Sequence, residues 1–210
     1  MNIDERCAAV YAETRELPLL KANPALGFEI LMGPPRHRPQ VAFIGYQPGD
    51  GAMTIQQARQ AGYEQRWPSE NEYLTQPYLL ARRLRGMFGN ELLKQCVGLN
   101  AIFLRAQSIS IYNSLVSRRD RRVAQAFCLD QVRVLLDVME PRSVVAIGFS
   151  TLSLFGGGQA DLHGEAGRVL TKTGEVFGRP ALATLHLSGA RIARGDLARI
   201  AERVRDLASA

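Results

Sequence analysis

The chain has 210 residues, which at roughly 150 residues per domain is a single domain with little to spare. With 46% hydrophobic and 22% charged residues it has apolar material for its own core, which excludes a disordered or low-complexity chain. The formal charge is +6 and 23 of its 26 basic residues are arginines, whose planar fork suits phosphate; a polyanion partner or a G+C-rich coding sequence accounts for this equally well. The three cysteines, Cys7, Cys96 and Cys128, include no C-x-x-C pair, which excludes a disulfide framework and argues against a protein-held metal. No apolar run reaches the ~18 residues of a membrane span, and Asp4 and Glu5 stand where a signal peptide would be apolar. The expectation is a cytoplasmic, monomeric protein in contact with no membrane and no protein partner.

Taken in order, Asp4 is placed to cap a helix over about 4–20, with Cys7, Val10, Tyr11, Thr14 and Leu17 at helical spacing. Gly33-Pro34-Pro35-Arg36-His37-Arg38-Pro39 is a loop, because its prolines forbid a helix or a central strand. Val41-Ala42-Phe43-Ile44-Gly45 has the look of a strand buried on both faces. Residues 46–77 are polar and irregular and predict a long functional loop with at most a short helix in it. A helix over 78–88, ended by Gly89-Asn90, precedes a strand over 97–104 and a loop containing Ser117-Arg118-Arg119-Asp120-Arg121-Arg122.

The periodicity of 123–139 predicts the clearest helix. Val123, Phe127, Val134 and Val138 form one apolar column, and Ala124, Cys128, Leu135 and Met139 form its neighbour; Pro141 stops it. Strands over 144–148 and 181–185 enclose a short helix to Phe155 and the Gly156-Gly157-Gly158 turn. Asp196 is placed to cap a last helix with Leu197, Ile200, Val204 and Leu207 inward. Strands alternating with helices predict an α/β fold, three layers (α/β/α) around a central four-stranded parallel sheet. Such sheets bind ligands at the carboxyl ends of their strands, which singles out 45–50, the segment after Val97, 148–150 and 186–191.

Three of these segments resemble the uracil-DNA glycosylase superfamily. Gly45-Tyr46-Gln47-Pro48-Gly49 is similar to its G-x-x-P-G motif, and His186-Leu187-Ser188, with Arg191 beyond, to its H-P-S motif. Between them, Leu99-Asn100-Ala101-Ile102-Phe103-Leu104-Arg105 is similar to the stretch that carries the base-reading asparagine, and 135–155 to an "R-P-K, apolar strand, L-G" segment. The resemblance spans about 40–195 of a single domain over 1–210. It implies a uracil-DNA glycosylase-like fold and, in base-excision repair, an enzyme that flips out uracil or a related deaminated base and hydrolyses its N-glycosidic bond. It further implies His186 as hydrogen-bond donor to the departing base and Asn100 as reader of the uracil N3–H and O4 edge. Tyr73, with Trp67 second, is the implied stacking ring, and Gly45 and Tyr46 belong to the base pocket. Pro48, Gly49, Ser188 and Arg191 are implied DNA contacts, joined by Arg118 and Arg119 if they meet phosphate.

Three departures bear on activity. Gln47 stands where the family has Asp or Asn to orient the hydrolytic water; it can position a water but not act as a base, and Asp50 substitutes if turned inward. Leu187 replaces the proline of H-P-S. Leu104 takes the cysteine position of the cluster-bearing branches, so no iron–sulfur cluster or other cofactor is expected. The sequence thus carries two function classes: a glycosylase acting on single- or double-stranded DNA, and a catalytically impaired member that binds nucleic acid or a base without cutting. A third, an unrelated nucleotide binder at 45–51, lacks the G-x-G-x-x-G and G-x-x-x-x-G-K-[ST] spacings.

Overall fold

The computed structural model of the protein describes residues 2–49, 54–164, 167–188 and 190–209. In chain order the elements are α1 (Ile3–Arg15), α2 (Pro18–Ala22), β1 (Gly27–Phe28), β2 (Val41–Gly45), α3 (Ile55–Gln60), α4 (Glu72–Thr75), α5 (Leu79–Leu93), β3 (Val97–Asn100) and β4 (Leu104–Arg105). They continue with α6 (Ile109–Leu115), α7 (Arg118–Met139), β5 (Ser143–Ile147), α8 (Phe149–Ser153), β6 (Gly158–His163), β7 (Val169–Val176), β8 (Arg179–Thr184) and α9 (Arg194–Ser209). The fold is α/β.

The main sheet has six strands in the order β3-β2-β5-β8-β7-β6. β3, β2, β5 and β8 run parallel, with Ile44 paired to both Leu99 and Ala146, and Ala146 to Ala183. β7 and β6 extend it antiparallel, so the sheet is mixed rather than four-stranded and parallel. The two further strands come from 158–176, which the sequence leaves unassigned. An edge hairpin turned to water needs few apolar residues, and β6 buries none of its side chains, so no apolar run marks it.

Alternation along the parallel strands sends Ala42, Ile44, Val144 and Ala146 to the face covered by α1 and α7. Phe43, Val145, Ile147 and Leu182 go to the face covered by α5 and α9. From β2 the chain moves one way to β3 and then returns past it to β5, so the strand order reverses at β2. That reversal opens a crevice at the carboxyl ends of β2, β3 and β5.

Several local expectations are corrected. Asn2, not Asp4, caps α1, in a capping box with Glu5, and the helix ends at Arg15. The helix end expected at Gly89 is present as a break, at a φ of 72° that only glycine adopts without strain, and α5 resumes beyond it to Leu93. The 97–104 run splits into β3 and β4. Ser117 caps α7, so the arginine run is helix, not loop; its Ala124, Cys128, Leu135 and Met139 column is buried while Val123 is 62% exposed. Asp196 lies in the first turn of α9, which begins two residues earlier. All three cysteines are free and buried, Cys7 on α1, Cys96 just before β3 and Cys128 on α7, and desolvation pushes each thiol up to about 12. Among the described residues, no helix is long and apolar enough to cross a membrane.

Candidate functional site

The crevice is a cleft of about 780 Å³. Gly45, Asn100 and Ile147, the last residues of three parallel strands, line it. The ladder between β2 and β3 continues past the strands, where Ala101 N–H donates to Gly45 O and Ile102 N–H to Tyr46 O, both at 2.8 Å. This locks the 45–49 turn beside Asn100. A side chain at Gly45 would crowd this contact: a Cβ would stand 3.0 Å from Asn100 Oδ1. Tyr46 and Gln47 are half-buried, Pro48 is buried and Gly49 exposed, and all four line the cleft.

Asn100 is 5% exposed. Its Nδ2 donates to Glu29 O at 3.2 Å and contacts Met32 Sδ at 3.6 Å, while among the described residues Oδ1 accepts no hydrogen bond. His186 lies across the cleft on the segment after β8. Its Nδ1 is 3.1 Å from Ser188 Oγ, and its ring packs on Gly148, where a Cβ would come within 3.3 Å of Cδ2. Leu187, in place of the motif's proline, is buried, and Arg83 of α5 donates to the carbonyls of Leu187 and Ala190, the latter at 3.1 Å. The arginine braces the turn that a proline would stiffen. Arg85 braces the opposite wall, donating to Tyr73 O at 2.8 Å and Gln76 O at 2.9 Å.

Tyr73 lines the cleft, but its ring is 2% exposed, edge-on to Phe43 at 6.1 Å and flush against Gly98. A Cβ at 98 would stand 2.5 Å from Tyr73 Cε2. Gly98→Ala is therefore expected to cost ~1–3 kcal/mol by overpacking, measured by urea denaturation; a neutral effect would show that the ring is not seated there. Trp67 is packed edge-on to Tyr11 at 5.9 Å and is not among the cleft's lining residues. Arg191, Arg118 and Arg119 are exposed and outside the lining. As the crossover between parallel β3 and β5, α7 must run against them, which puts Arg118 and Arg119 at the same end of the sheet as the cleft. Asp50 lies outside the described residues.

The cleft also holds a charged group that sequence reasoning misses. β1 and β4 pair antiparallel with Gly27 opposite Arg105, and residues 29–32 run along the free edge of β3 through Asn100 N–H to Ile30 O and Met32 N–H to Gly98 O. This places Glu29 and Arg105 in the cleft wall, 3% and 4% exposed, in an ion pair of 3.1 Å. Glu72, 6% exposed, joins them and accepts from Tyr78 Oη at 3.3 Å, with Tyr63 as a further donor. Desolvation, reinforced by Glu72 and opposed by Arg105, lifts the Glu29 carboxyl to about 7; desolvation lifts Glu72 as well. Their sequence signal is a lone charge inside an apolar run, Phe28-Glu29-Ile30-Leu31 and Phe103-Leu104-Arg105-Ala106.

The arrangement can seat a planar ligand against apolar walls between a histidine, an acceptor amide and two carboxyls. Among the described residues, no three His, Cys, Asp or Glu side chains converge as metal ligands. Compared with known protein families and with curated proteins, the chain matches no family model and no curated sequence.

Proposed function

We propose that the protein is a DNA glycosylase that takes an extruded base into the cleft and hydrolyses its N-glycosidic bond, with uracil or a related deaminated base as the substrate class. One observation carries the reading. Residues 45–49, Asn100 and His186 with Ser188, remote from one another in the chain, line a single cleft at the carboxyl ends of parallel strands. Breaking the bond leaves its electron pair on the base and positive charge on the sugar. With Ser188 Oγ, 3.1 Å from Nδ1, taken as the donor, His186 carries its proton on Nε2, where a departing base oxygen needs it. Gln47 holds the water that adds to the sugar carbon, and the proton the water loses neutralises the base anion. The exposed Gly49 turn borders the cleft, and Arg191 and the amino end of α7, exposed and outside its lining, are the phosphate contacts of this reading.

Oligonucleotides carrying uracil, hypoxanthine, xanthine or mismatched pyrimidines, single- and double-stranded, test this by alkali-revealed nicking. Cleavage at one of these bases is expected; binding without cleavage on every substrate would overturn it. The half-buried Gln47 in the water position favours a second reading, in which the protein binds a base or nucleic acid without cutting. Under either reading, changing Arg118 and Arg119 together to alanine is expected to reduce the slope of log affinity against log salt by about one unit per lost phosphate contact. An unchanged slope would place them off the DNA path.

A further inference from the structure

We infer that the cleft selects a base whose edge carries adjacent N–H donors beside a carbonyl, the 2-amino-6-oxopurine edge of guanine and its derivatives, with Asn100 Oδ1 and the Glu72 and Glu29 carboxyls as acceptors. This rests on the base-binding reading above but departs from its substrate class, since guanine is not a deaminated base.

The inference begins at Asn100. An amide usually reads a base edge with a donor and an acceptor together. Here Nδ2 faces the Glu29 carbonyl oxygen, which can only accept, so the orientation of the amide is forced. Its other contact, at 3.6 Å, is with Met32 Sδ. What Asn100 turns to a ligand is Oδ1, an acceptor on a side chain 95% withdrawn from water.

Neighbouring polar groups repeat that sign. Glu29, whose backbone holds Asn100, and Glu72 both line the cleft, and Arg105 is the only lysine or arginine among the described lining residues. Glu29 is paired with Arg105 and Glu72 accepts from two tyrosine hydroxyls, and both carboxyls sit above the ordinary carboxylate range because burial outweighs the donors they have. A ligand bringing N–H groups supplies what they lack. Among the described lining residues no second cation is offered to a phosphate, so the backbone of a nucleic acid stays at the rim.

The edges of the bases then differ in fit. Uracil presents acceptor, donor, acceptor, so one of its carbonyl oxygens meets a carboxylate. Hypoxanthine presents acceptor and donor with a bare C–H beyond. The guanine-type edge presents acceptor, donor, donor, with its carbonyl available to His186 and both donors to the acceptor group. A cleft of about 780 Å³ has room for the larger ring system.

Calorimetric titration of the intact protein with deoxyguanosine, deoxyinosine and deoxyuridine tests this without requiring cleavage. Deoxyguanosine is expected to bind at least ~10-fold more tightly than deoxyuridine, with deoxyinosine between, since buried acceptors left unpaired penalise the wrong edge. Glu72→Gln is expected to remove most of the advantage of deoxyguanosine over deoxyinosine. In the unaltered protein, the carboxyl carbon resonances of Glu29 and Glu72 should move on adding deoxyguanosine and stay on adding deoxyuridine, a readout independent of how well the variant folds. Equal or tighter binding of deoxyuridine, no binding of any nucleoside, or carboxyl resonances indifferent to deoxyguanosine would each overturn the inference. A protein that shows this order but cuts no DNA loses the hydrolase reading alone; one that releases uracil but binds deoxyguanosine no better loses the inference alone.

Discussion

His186→Ala is expected to slow base release about 100- to 1000-fold, the usual effect of removing one donor to a developing oxyanion. Affinity for the same oligonucleotide should stay within about twofold, because the contact strengthens only as charge builds on the base. The residue is exposed, its ring at the cleft edge against Gly148 and Ser188. Single-turnover nicking with a parallel binding isotherm separates the two effects, and equal losses in both would assign His186 to holding the turn. Ser188→Ala should produce a smaller loss, since it frees the tautomer without removing the ring. Asn100→Ala differs in kind. It leaves the Glu29 carbonyl without its side-chain donor in a buried position, so ~1–3 kcal/mol of stability should go with the activity.

Arg105→Met is expected to destabilise the fold by about 3–5 kcal/mol at pH 8, the typical cost of leaving a buried carboxylate without its cation. The loss should shrink at pH 5, where Glu29 takes up a proton instead. The unaltered protein has a pH slope of its own at this site. Glu29 is raised from 4.5 to about 7, so between these values the folded chain holds a proton that the unfolded chain has released. The resulting stabilisation is full below about 4.5 and is lost as pH rises through about 7, on the order of 3 kcal/mol. The raised Glu72 acts in the same direction. Urea denaturation at pH 5 and pH 8 should therefore find the protein less stable at pH 8, with Glu29→Gln flattening the difference. Stability that rises over this range, or a slope indifferent to Glu29→Gln, would contradict the burial of this group.

What could be read from the residues follows from how each element is buried. The parallel strands are covered on both faces, so each is a short apolar run with a glycine, a polar residue or the next helix after it; Val41-Ala42-Phe43-Ile44-Gly45 could be little else. Their carboxyl ends, and with them Gly45, Asn100 and His186, were legible for that reason. The β6–β7 hairpin was not, because a strand at a wet edge has no need of apolar alternation. The arginine run looked like a loop because basic residues at a helix amino end oppose its dipole; the Ser117 cap and Asp120 in the first turn offset this.

Glu29 and Arg105 stayed hidden for a different reason. Their partners lie 76 positions apart, and only the β1–β4 ribbon along the edge of β3 brings them together. Sequence spacing carries no trace of such a pairing. Tyr73 is a different case: the resemblance implies it as the stacking ring, and it does line the cleft, yet most of its ring is spent on Gly98 and Phe43. The loop itself holds two short helices and supplies Tyr63, Glu72 and Gln76 to one wall.

The central claim is that an extruded base enters the cleft between Asn100 and His186. Photo-crosslinking of an oligonucleotide carrying a single 4-thiouracil, with the attached peptide identified by mass spectrometry, tests it most directly. Attachment within 45–49, at Tyr73 or in the segment holding His186 is the expected result. Attachment confined to surfaces away from the cleft, at the yield of non-specific binding, would contradict it.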